Sequence, residues 1–171
     1  VVIITTKRGK AGKANVNLDV YRGVQSVARK LDLLNAKEYA TINNESLIAA
    51  GKPIALEKLR NPDALTVDTD WQDLMFRRAK IQNYSLSATG GSEKARYALS
   101  GTYYQQDGII LGSNFERFTL RANGDVELSK IFKIGNSISL THLSDRQITT
   151  NSGEYGAVQQ LLRIPPTVQA Y

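Results

Sequence analysis

The stretch Phe115-Glu-Arg-Phe-Thr-Leu-Arg-Ala-Asn-Gly-Asp-Val126 alternates between apolar and polar residues. One parity carries Phe118, Leu120, Ala122 and Val126, and the other carries Arg117, Thr119, Arg121, Asn123 and Asp125. Successive side chains of a β-strand point to opposite faces, so this pattern predicts a strand with one apolar and one wet face. The alternation returns in the other strand-like segments, at the length of roughly ten residues that a tilted strand needs to cross a bilayer. The pattern therefore favours a piece of a transmembrane β-barrel.

The composition of the chain leaves the membrane question open. The 171 residues are 42% hydrophobic and 22% charged, which is ordinary for a soluble protein. No run approaches the roughly 18 consecutive apolar residues of a membrane-spanning helix, so a spanning chain would have to use the strands of a closed barrel. A soluble β-sandwich predicts the same alternation, with a protein core in place of lipid. Both architectures stay open on this pattern alone.

Several classes of function are disfavoured by residue types. The chain has no cysteine, which excludes disulfides and thiolate metal sites. Its net charge is +6, but the dense basic run at 7–13 has no interleaved aromatic residue, so no nucleic-acid partner is expected. The only histidine, His142, sits near the end of a strand-like segment, and no catalytic residue and no enzyme are predicted. Asp68, Asp70 and Asp73 lack the spacing of a calcium loop and are interpreted as helix-capping residues; no metal and no cofactor are expected.

A long segment between the first two strands, residues 23–79, shows helical spacing of its apolar residues. Asn35-Ala-Lys-Glu38 has the form of a capping box and predicts a helix that ends before Gly51 and Pro53. The apolar side of this helix is predicted to carry Tyr39, Ile42, Leu47 and Ile48. A second helix is predicted over 70–78, with Trp71, Leu74 and Met75 on one side. A third is predicted near 155–163, before Pro165 and Pro166.

The strands are predicted at 14–21, 83–89, 96–104, 115–126 and 131–142, with a buried strand at 1–6. Gly90-Gly91-Ser92-Glu93 predicts a tight turn. The connections alternate in length: long at 23–79, short at Gly90, longer at 105–114, short at 127–130 and long again at the end. Outer-membrane barrels have short periplasmic turns and long extracellular loops. This rhythm predicts that 23–79, 105–114 and 145–171 lie outside the cell.

Three consecutive stretches of the chain carry a family resemblance: Asn83-Tyr-Ser-Leu-Ser-Ala-Thr-Gly-Gly-Ser-Glu-Lys-Ala-Arg-Tyr97, Ser100-Gly-Thr-Tyr-Tyr-Gln-Gln-Asp-Gly108 and Phe115-Glu-Arg-Phe-Thr-Leu-Arg-Ala-Asn123. Together they resemble the SusC/RagA family of TonB-linked outer-membrane transporters. Val1-Val-Ile-Ile-Thr-Thr-Lys-Arg-Gly9 resembles the last plug strand of that family, Leu34-Asn-Ala-Lys-Glu-Tyr39 its first extracellular loop, and Leu162-Arg-Ile-Pro-Pro166 a later loop. The motifs occur in the family's order over almost the whole chain.

The resemblance implies an all-β fold with helical loop insertions, in which antiparallel strands form part of a plugged 22-stranded transmembrane β-barrel. Residues 1–12 would be the end of the plug domain and a hinge, and residues 13–171 the N-terminal part of the barrel. Because the chain starts without a signal segment and lacks most of a plug, it is expected to be part of a longer protein.

The implied function is part of a TonB-dependent transporter in the outer membrane of Gram-negative bacteria of the Bacteroidetes type. Such a transporter imports oligosaccharides or peptides with a SusD-like surface lipoprotein, and it contacts TonB through an N-terminal segment absent from this sequence. Outer-membrane lipid is a further implied partner. Two alternatives remain open: a soluble carbohydrate-binding β-sandwich and a structural surface or adhesin barrel.

Five residues are candidates for functional contacts. Arg96, Arg117 and Arg121 share the polar parity, which would point them into the lumen, and contact with plug carboxylates is favoured over contact with substrate. Trp71 and Tyr155 are candidates for extracellular-loop contacts. In a soluble sandwich, Trp71 would instead form part of a sugar-stacking platform.

Overall fold

A computed structural model describes residues 9, 11–54, 59–150 and 155–170. Within these residues the chain forms a five-stranded antiparallel sheet and three α-helices. It divides into a sheet unit, Val1–Gln25, Ala79–Gly108 and Gly112–Gln147, and a helical unit, Ser26–Arg78, Ile109–Leu111 and Ile148–Tyr171. The strand predicted at 1–6 lies outside the described residues.

The strands of the sheet pair in the order in which they follow one another in the chain. They are β1 (Gly12–Gln25), β2 (Ala79–Gly91), β3 (Ala95–Asp107), β4 (Asn114–Ser129) and β5 (Phe132–Arg146). Each is antiparallel to its neighbour, so the sheet is a meander with β1 and β5 at its edges. The strands predicted from alternation are confirmed, and so is the antiparallel pairing that the family resemblance implies.

Several strands extend beyond their predicted bounds. β2 begins at Ala79 rather than at residue 83, and β3 continues to Asp107, so the connection predicted at 105–114 shrinks to residues 108–113. β5 likewise continues to Arg146. The added positions are largely polar on both parities, as in Gln105 and Gln106, so alternation gave no signal for them. Backbone pairing holds them in the sheet all the same.

The tight turn near Gly90 is shifted along the chain. Gly90 and Gly91 both belong to β2, and residues 92–94 make the connection. Gly91 has φ of +149°, and a Cβ there would overlap the carbonyl oxygen of Ala95. The hydroxyl of Ser92 accepts hydrogen bonds from the backbone N–H groups of Lys94 and Ala95, at 3.3 and 3.1 Å. A serine cap therefore closes the turn, and Gly91 supplies its special backbone conformation.

The helical unit begins with α1 (Ala36–Ala49), and the predicted capping box is confirmed. The Asn35 side chain accepts from the Glu38 N–H at 2.9 Å, and the Glu38 carboxylate accepts from the Asn35 N–H at 3.0 Å. The predicted buried side of this helix is wrong in part, because Ile42 and Ile48 are exposed. The residues that this helix buries are Ala36, Ala40 and Asn44. These small side chains recur every fourth residue and so lie on one face of the helix.

The second helix, α2 (Trp71–Met75), is shorter than predicted. Asp70 caps it as expected, accepting from the N–H groups of Gln72 and Asp73 at 2.8 and 3.1 Å. The helix ends at Met75 because Phe76 forms a β-bridge with Ile110, a pairing that no local pattern reveals. A short 3-10 helix (Pro62–Ala64) and α3 (Ala157–Arg163) complete the unit, and α3 lies where the third helix was predicted.

The residue that α2 buries is also not the predicted one. Trp71 and Met75 are half-buried and Leu74 is exposed, whereas Gln72 is buried. The Gln72 amide accepts from the Leu31 N–H at 2.9 Å and donates to the Leu31 carbonyl at 2.7 Å. A buried polar side chain with both groups bonded costs little, and here it fixes α2 to the preceding loop. No helix in the described ranges is long and apolar enough to span a membrane.

Candidate functional site

The register of the sheet gathers the polar parity of all five strands on one side, called here the polar face. Its polar members include Asn15, Asn17, Asp19, Tyr21, Asn83, Ser85, Ser87, Thr89, Arg96, Ser100, Thr102, Tyr104, Arg117, Thr119, Arg121, Asn123, Asp125, Glu127, Lys133, Ser137, Ser139 and Thr141. Neighbouring strands are linked across this face by side-chain hydrogen bonds. The Ser137 hydroxyl donates to the Asn123 amide oxygen at 2.7 Å, and the hydroxyls of Thr119 and Thr141 lie 3.4 Å apart.

The opposite side, called here the apolar face, carries the other parity. Its members include Val16, Leu18, Val20, Leu86, Leu99, Phe118, Leu120, Ile138 and Leu140. These side chains are exposed, with 67% of Leu18, 44% of Leu120 and 63% of Leu140 accessible. A β-sandwich would bury such residues against a second sheet, but the described parts of the chain contain one sheet. The apolar face is therefore suited to contact an apolar environment that the described residues do not themselves supply.

A row of rings bounds the apolar face at the end where β1 finishes and β2 begins, called here the loop end. In register, Val20, Tyr84, Tyr103, Phe118 and His142 lie side by side on the five strands. The rings of Tyr84 and Tyr103 are stacked with centroids 6.4 Å apart. Aromatic rings concentrate where a membrane meets water.

The next row towards the loop end is polar throughout. It consists of Arg22, Gln82, Gln105, Glu116 and Ser144. The Gln82 amide donates to the Gln105 amide oxygen, and the Gln105 amide donates to the Glu116 carboxylate at 3.4 Å. This side of the sheet thus changes within four residues along a strand from aliphatic to aromatic to hydrogen-bonded polar groups. That order matches the outside of a transmembrane barrel.

The structure brings Arg96, Arg117 and Arg121 to the polar face, as their parity predicted, but gives them different neighbours. The Arg117 guanidinium lies 5.8 Å from the centroid of the Tyr104 ring. Arg96 is paired in register with Asp125. Arg121 lies between Ser100 and Ser139, whose hydroxyls carry no charge to balance its own.

Trp71 and Tyr155 have different surroundings within the helical unit. Trp71 is half-buried, and its indole N–H donates to the Pro165 carbonyl at 3.2 Å. It lines a cavity of about 420 Å³ together with Tyr39, Leu161 and neighbouring residues. Tyr155 is 83% exposed and does not line this cavity. Trp71 therefore packs within its unit instead of forming an exposed platform, whereas Tyr155 is available for contacts.

A charged cavity of about 460 Å³ at the opposite end of the sheet, the turn end, was not predicted. Arg96, Asp125, Glu127 and Lys133 contribute to its lining, and the Lys133 ammonium lies 3.3 Å from the Glu127 carboxylate. Gly9 lines the same cavity, and a Cβ on Gly9 would overlap the Tyr97 backbone. Glu127 and Lys133 carry opposite charges on either side of a predicted turn, so the sequence could have indicated part of the charged lining of this cavity. No sequence signal pointed to the close approach of Gly9 to β3.

Two exposed ion pairs shift titrating groups in the helical unit. A hydrogen bond and charge from Asp63, 2.5 Å away, raise the pKa of Lys37. A hydrogen bond and charge from Lys30 lower the pKa of Asp73. The described residues contain no cluster of three or more His, Cys, Asp or Glu side chains placed to bind a metal. The candidate functional feature of this chain is therefore the sheet itself, with its polar face and its apolar face.

Comparison with known proteins agrees with this geometry. No family model matches the chain. TonB-dependent receptor P3 of Formosa agariphila is 31% identical over 176 residues, covering 100% of this chain and 16% of that receptor. TonB-dependent receptor SusC of Bacteroides thetaiotaomicron is 35% identical over 124 residues, covering 72% of this chain and 12% of SusC. The chain belongs to the SusC/RagA family of TonB-dependent receptors.

Solved structures show the same fold for this SusC/RagA chain. The RagAB peptide transporter matches 95% of the chain with a TM-score of 0.77 at 18% identity, over 21% of that transporter chain. The RagAB peptide importer in the closed-closed state matches with a TM-score of 0.71 at 19% identity. The five strands thus correspond to part of the wall of a TonB-dependent transporter barrel. The expected family and fold class are confirmed, and the named relatives are receptors and transporters rather than enzymes.

Proposed function

We propose that this SusC/RagA chain forms the N-terminal part of the barrel wall of an importer in the outer membrane of a Gram-negative bacterium of the Bacteroidetes type. Its apolar face contacts lipid and its polar face lines the lumen. The observation that carries the proposal is the apolar band of the sheet, which ends in the row of rings at Tyr84 and Tyr103 and continues into the polar row at Gln82 and Gln105.

The height of the apolar band fits a bilayer. On β5 the apolar parity runs from Phe132 to His142, interrupted by Asn136, which is about 34 Å at about 3.4 Å per residue. A strand tilt of 35–45° reduces this to about 24–28 Å along the membrane normal, close to the outward apolar band of about 25 Å in outer-membrane barrels. At the loop end the strands continue past this band into the polar row.

A cavity at the polar face is an argument for a plug domain on the lumen side of the sheet. Gly9 shares the charged cavity with Arg96 and Asp125, which belong to the polar face. We therefore propose that residues 1–12 are the end of a plug and its hinge, and that the barrel begins at residue 13. Arg121, which faces the lumen without a charged neighbour in register, is the best placed of the three arginines to meet a plug carboxylate.

The helical unit is assigned to the cell exterior, and the turn after Gly91 to the periplasm, because of the lengths of the connections. In this orientation residues 26–78 and 147–171 belong to extracellular loops, where Tyr155 and the unit containing Trp71 would meet substrate or partner; the predicted bounds 23–79 and 145–171 shorten because β1 reaches Gln25, β2 begins at Ala79 and β5 reaches Arg146. The transported class is oligosaccharides or peptides; a relative named as a peptide transporter supports the second. TonB supplies the coupling to energy, and a SusD-like lipoprotein covers the extracellular side.

Surface labelling of intact cells tests the orientation. One epitope is inserted at Gly51, which is exposed with nothing near its Cβ position, and another at Glu93 in the β2–β3 turn, within the full-length protein. We expect antibody to stain only the Gly51 insertion in intact cells and both insertions in permeabilised cells. Staining of Glu93 alone in intact cells would invert the topology.

Uptake measurements test the transport function against a structural adhesin barrel. Cells carrying the full-length receptor are given fluorescent oligosaccharides and peptides, with and without TonB, and after collapse of the proton gradient. An importer takes up at least one class only when TonB and the gradient are both present. Accumulation that is the same in all three conditions, with the receptor at normal level in the membrane, would overturn energised transport.

A further inference from the structure

The cavity beside Trp71, called here the loop groove, is lined by two loop segments of the helical unit. Residues 31–35 form one side and residues 161–166 the other, together with Tyr39 and residues 68–72. All of these residues belong to the helical unit. The volume of about 420 Å³ is within the range of about 300–1,000 Å³ that is typical of ligand-binding clefts.

Both sides of the loop groove are tied to residues 68–72 by hydrogen bonds. The Gln72 amide holds the N–H and the carbonyl of Leu31, at 2.9 and 2.7 Å. On the other side, the Thr69 N–H donates to the Pro166 carbonyl at 2.9 Å. Because these bonds fix the two sides, the groove is preformed and loses little conformational freedom when a ligand binds.

The lining of the loop groove presents aliphatic side chains to solvent. Leu31, Leu33 and Leu34 on one side are exposed, and so are Leu162 and Ile164 on the other. Single exposed leucines are common on protein surfaces, but a cluster around one cavity is typical of a binding surface. The groove therefore has an apolar lining that a ligand could cover.

The backbone beside these side chains is also available to a ligand. Residues 32–34 belong to no helix or strand, and their N–H and carbonyl groups form no hydrogen bond within the described residues. Proteins often bind peptides in this way, since backbone groups pair with the peptide backbone while apolar pockets receive its side chains.

An oligosaccharide fits the loop groove less well than a peptide. A sugar ring packs on the open face of an aromatic side chain, but the Trp71 ring is half-buried and its indole N–H is bonded to Pro165. The exposed part of the lining is aliphatic instead. Aliphatic side chains bind other apolar groups, which a peptide carries and a neutral sugar lacks.

The charge of the loop groove favours a basic ligand. The charged residues in its described lining are Asp32, Asp68, Asp70 and Arg163. Three carboxylates with one guanidinium leave the lining acidic. The Lys30 ammonium, next to Leu31 in the chain, does not offset them because it is paired with Asp73. Complementary charge at such a site steers a basic ligand towards it and disfavours an acidic one.

We propose that the loop groove binds a basic peptide. An aliphatic side chain of the peptide packs against Leu33 and Ile164, its backbone pairs with residues 32–34, and a basic side chain lies beside Asp32. This inference rests on the proposed function, since it needs the helical unit outside the cell, and it narrows the transported class to peptides.

Peptide binding by the full-length receptor in nanodiscs tests the groove directly. Fluorescein-labelled probes are titrated and followed by anisotropy: an octapeptide of Lys and Leu, one of Lys and Ser, one of Glu and Leu, and maltoheptaose. The variant is Leu33→Ser with Ile164→Ser. The matched control is Ile42→Ser with Ile48→Ser, a comparable change at exposed positions of α1 that do not line the groove.

The Lys–Leu peptide should bind roughly tenfold more tightly than each of the other probes, because it alone supplies both apolar and basic groups. The variant should lose this advantage and the control should keep it. Asp32→Asn should reduce the preference for the Lys–Leu peptide over the Glu–Leu peptide. Equal affinity of the variant and the control for the Lys–Leu peptide would overturn the proposal. Tighter binding of maltoheptaose, reduced by the variant, would also overturn it.

Copurification separates a peptide ligand from a partner protein as the occupant of the groove. The receptor is isolated together with the SusD-like lipoprotein, from cells that carry the variant or the control. If the variant loses the lipoprotein and keeps its affinity for the Lys–Leu peptide, the groove is a protein interface and the proposal is wrong. Retention of the lipoprotein with loss of the peptide supports the proposal.

Separate measurements distinguish failure of this site from failure of the proposed function. The epitope at Gly51 and the TonB-dependent uptake report on the proposed function whatever the state of the loop groove. If both behave as expected while the variant binds the Lys–Leu peptide as the control does, only the groove is wrong. If antibody does not reach Gly51 on intact cells, the exterior assignment fails, and the role of the groove in import fails with it.

Discussion

The helical unit fully buries several apolar residues within the described part of the chain, whereas the sheet unit fully buries one, Ala79, and exposes the aliphatic side chains of its apolar face. The apolar residues buried in the described ranges are Ala36, Ala40, Leu59, Ala79 and Leu161. Four of the five lie in the helical unit, although the sheet unit contains five strands of 13–16 residues each. Apolar burial is the main driving force of folding in water, so the sheet needs a different medium. The helical unit is suited to water and the sheet to lipid.

The hydrogen bonds of the two units differ in the same way. In the helical unit, side chains tie distant backbone groups: the Asn44 amide donates to the Leu59 carbonyl at 2.6 Å, and the Thr69 hydroxyl donates to the Val168 carbonyl at 2.7 Å. In the sheet unit the backbone pairs with itself along all five strands. Strands that pair on both sides satisfy their backbone groups and can enter hydrocarbon, whereas irregular backbone cannot. The outer edges of β1 and β5 are unpaired in this sheet and need the neighbouring strands of a closed barrel.

The largest expected effect contrasts two neighbouring residues of β4. Leu120→Arg should destabilise the assembled full-length barrel by about 2–4 kcal/mol if the site is near the bilayer midplane, because the charge would enter lipid. Thr119→Arg should cost little, since its side chain is on the polar face. Unfolding in lipid vesicles measures both free energies.

Lipid accessibility separates this explanation from burial in a protein core. A fluorescent label at position 120 should be quenched by a bilayer-embedded quencher, and a label at 119 should not. Equal quenching at both positions, or protection of 120 in a protein that is soluble in water, would rule out the transmembrane strand.

The second effect tests which side of α1 is packed. Ala40 is completely buried, so Ala40→Leu should overpack its surroundings and cost about 1–3 kcal/mol. Ile42 is 53% exposed, so Ile42→Ala should cost clearly less. Denaturant titration of the chain in micelles measures both, with the single tryptophan, Trp71, as the reporter of the helical unit. A larger loss of unfolding free energy for Ile42→Ala than for Ala40→Leu would show that the buried side of α1 is the one predicted from hydrophobic spacing.

The third effect concerns the cap of α2. Asp70→Ala removes the acceptor for two N–H groups and should cost about 0.5–2 kcal/mol in the same titration. Asp70→Asn keeps a capping oxygen and should recover most of the loss. If Asn is as poor as Ala, the contribution of Asp70 is its charge and not its capping geometry.

The smallest effect is the titration of Asp73. The hydrogen bond from Lys30 lowers the pKa of this carboxyl, so Lys30→Met should move it back up towards 3.8. A lowered pKa in the folded state contributes stability above the unfolded pKa, and this is lost as the pH falls through the folded pKa. Carbon NMR of labelled aspartate carboxyls measures the shift. An unchanged pKa in the variant would show that the exposed pair is not formed in solution.

The sequence predicted those parts of the fold that depend on neighbouring residues. Alternation along β4 and the capping box at Asn35 are local patterns, and both are confirmed. The end of α2 depends on Ile110, and the extension of β2 depends on Gln105 and its neighbours in β3; both are distant pairings without a local signal. The buried side of α1 was missed because alanine is small, and hydrophobic spacing favours larger residues such as Ile42.

The candidate site shows the same difference between what local patterns predict and what distant pairings decide. Parity was enough to place Arg96, Arg117 and Arg121 on one face. Their neighbours followed from register, which depends on where each turn closes, and so the contact of Arg117 with Tyr104 was not foreseen. Trp71 was expected at a contact surface, but its indole N–H meets Pro165, a partner 94 positions away.

The unequal connections of the sheet also set an order of assembly. Residues 26–78 separate β1 from β2, whereas 108–113 suffice between β3 and β4. Closing the longer loop costs about 2 kcal/mol more, at about 0.6 kcal/mol for each doubling of loop length. We expect β2 to β5 to pair first and β1 to join last. Pulse-labelled hydrogen exchange during refolding would then find the amides of β1 protected after those of β3. During that interval β2, like β5, is an open edge through which two chains can aggregate.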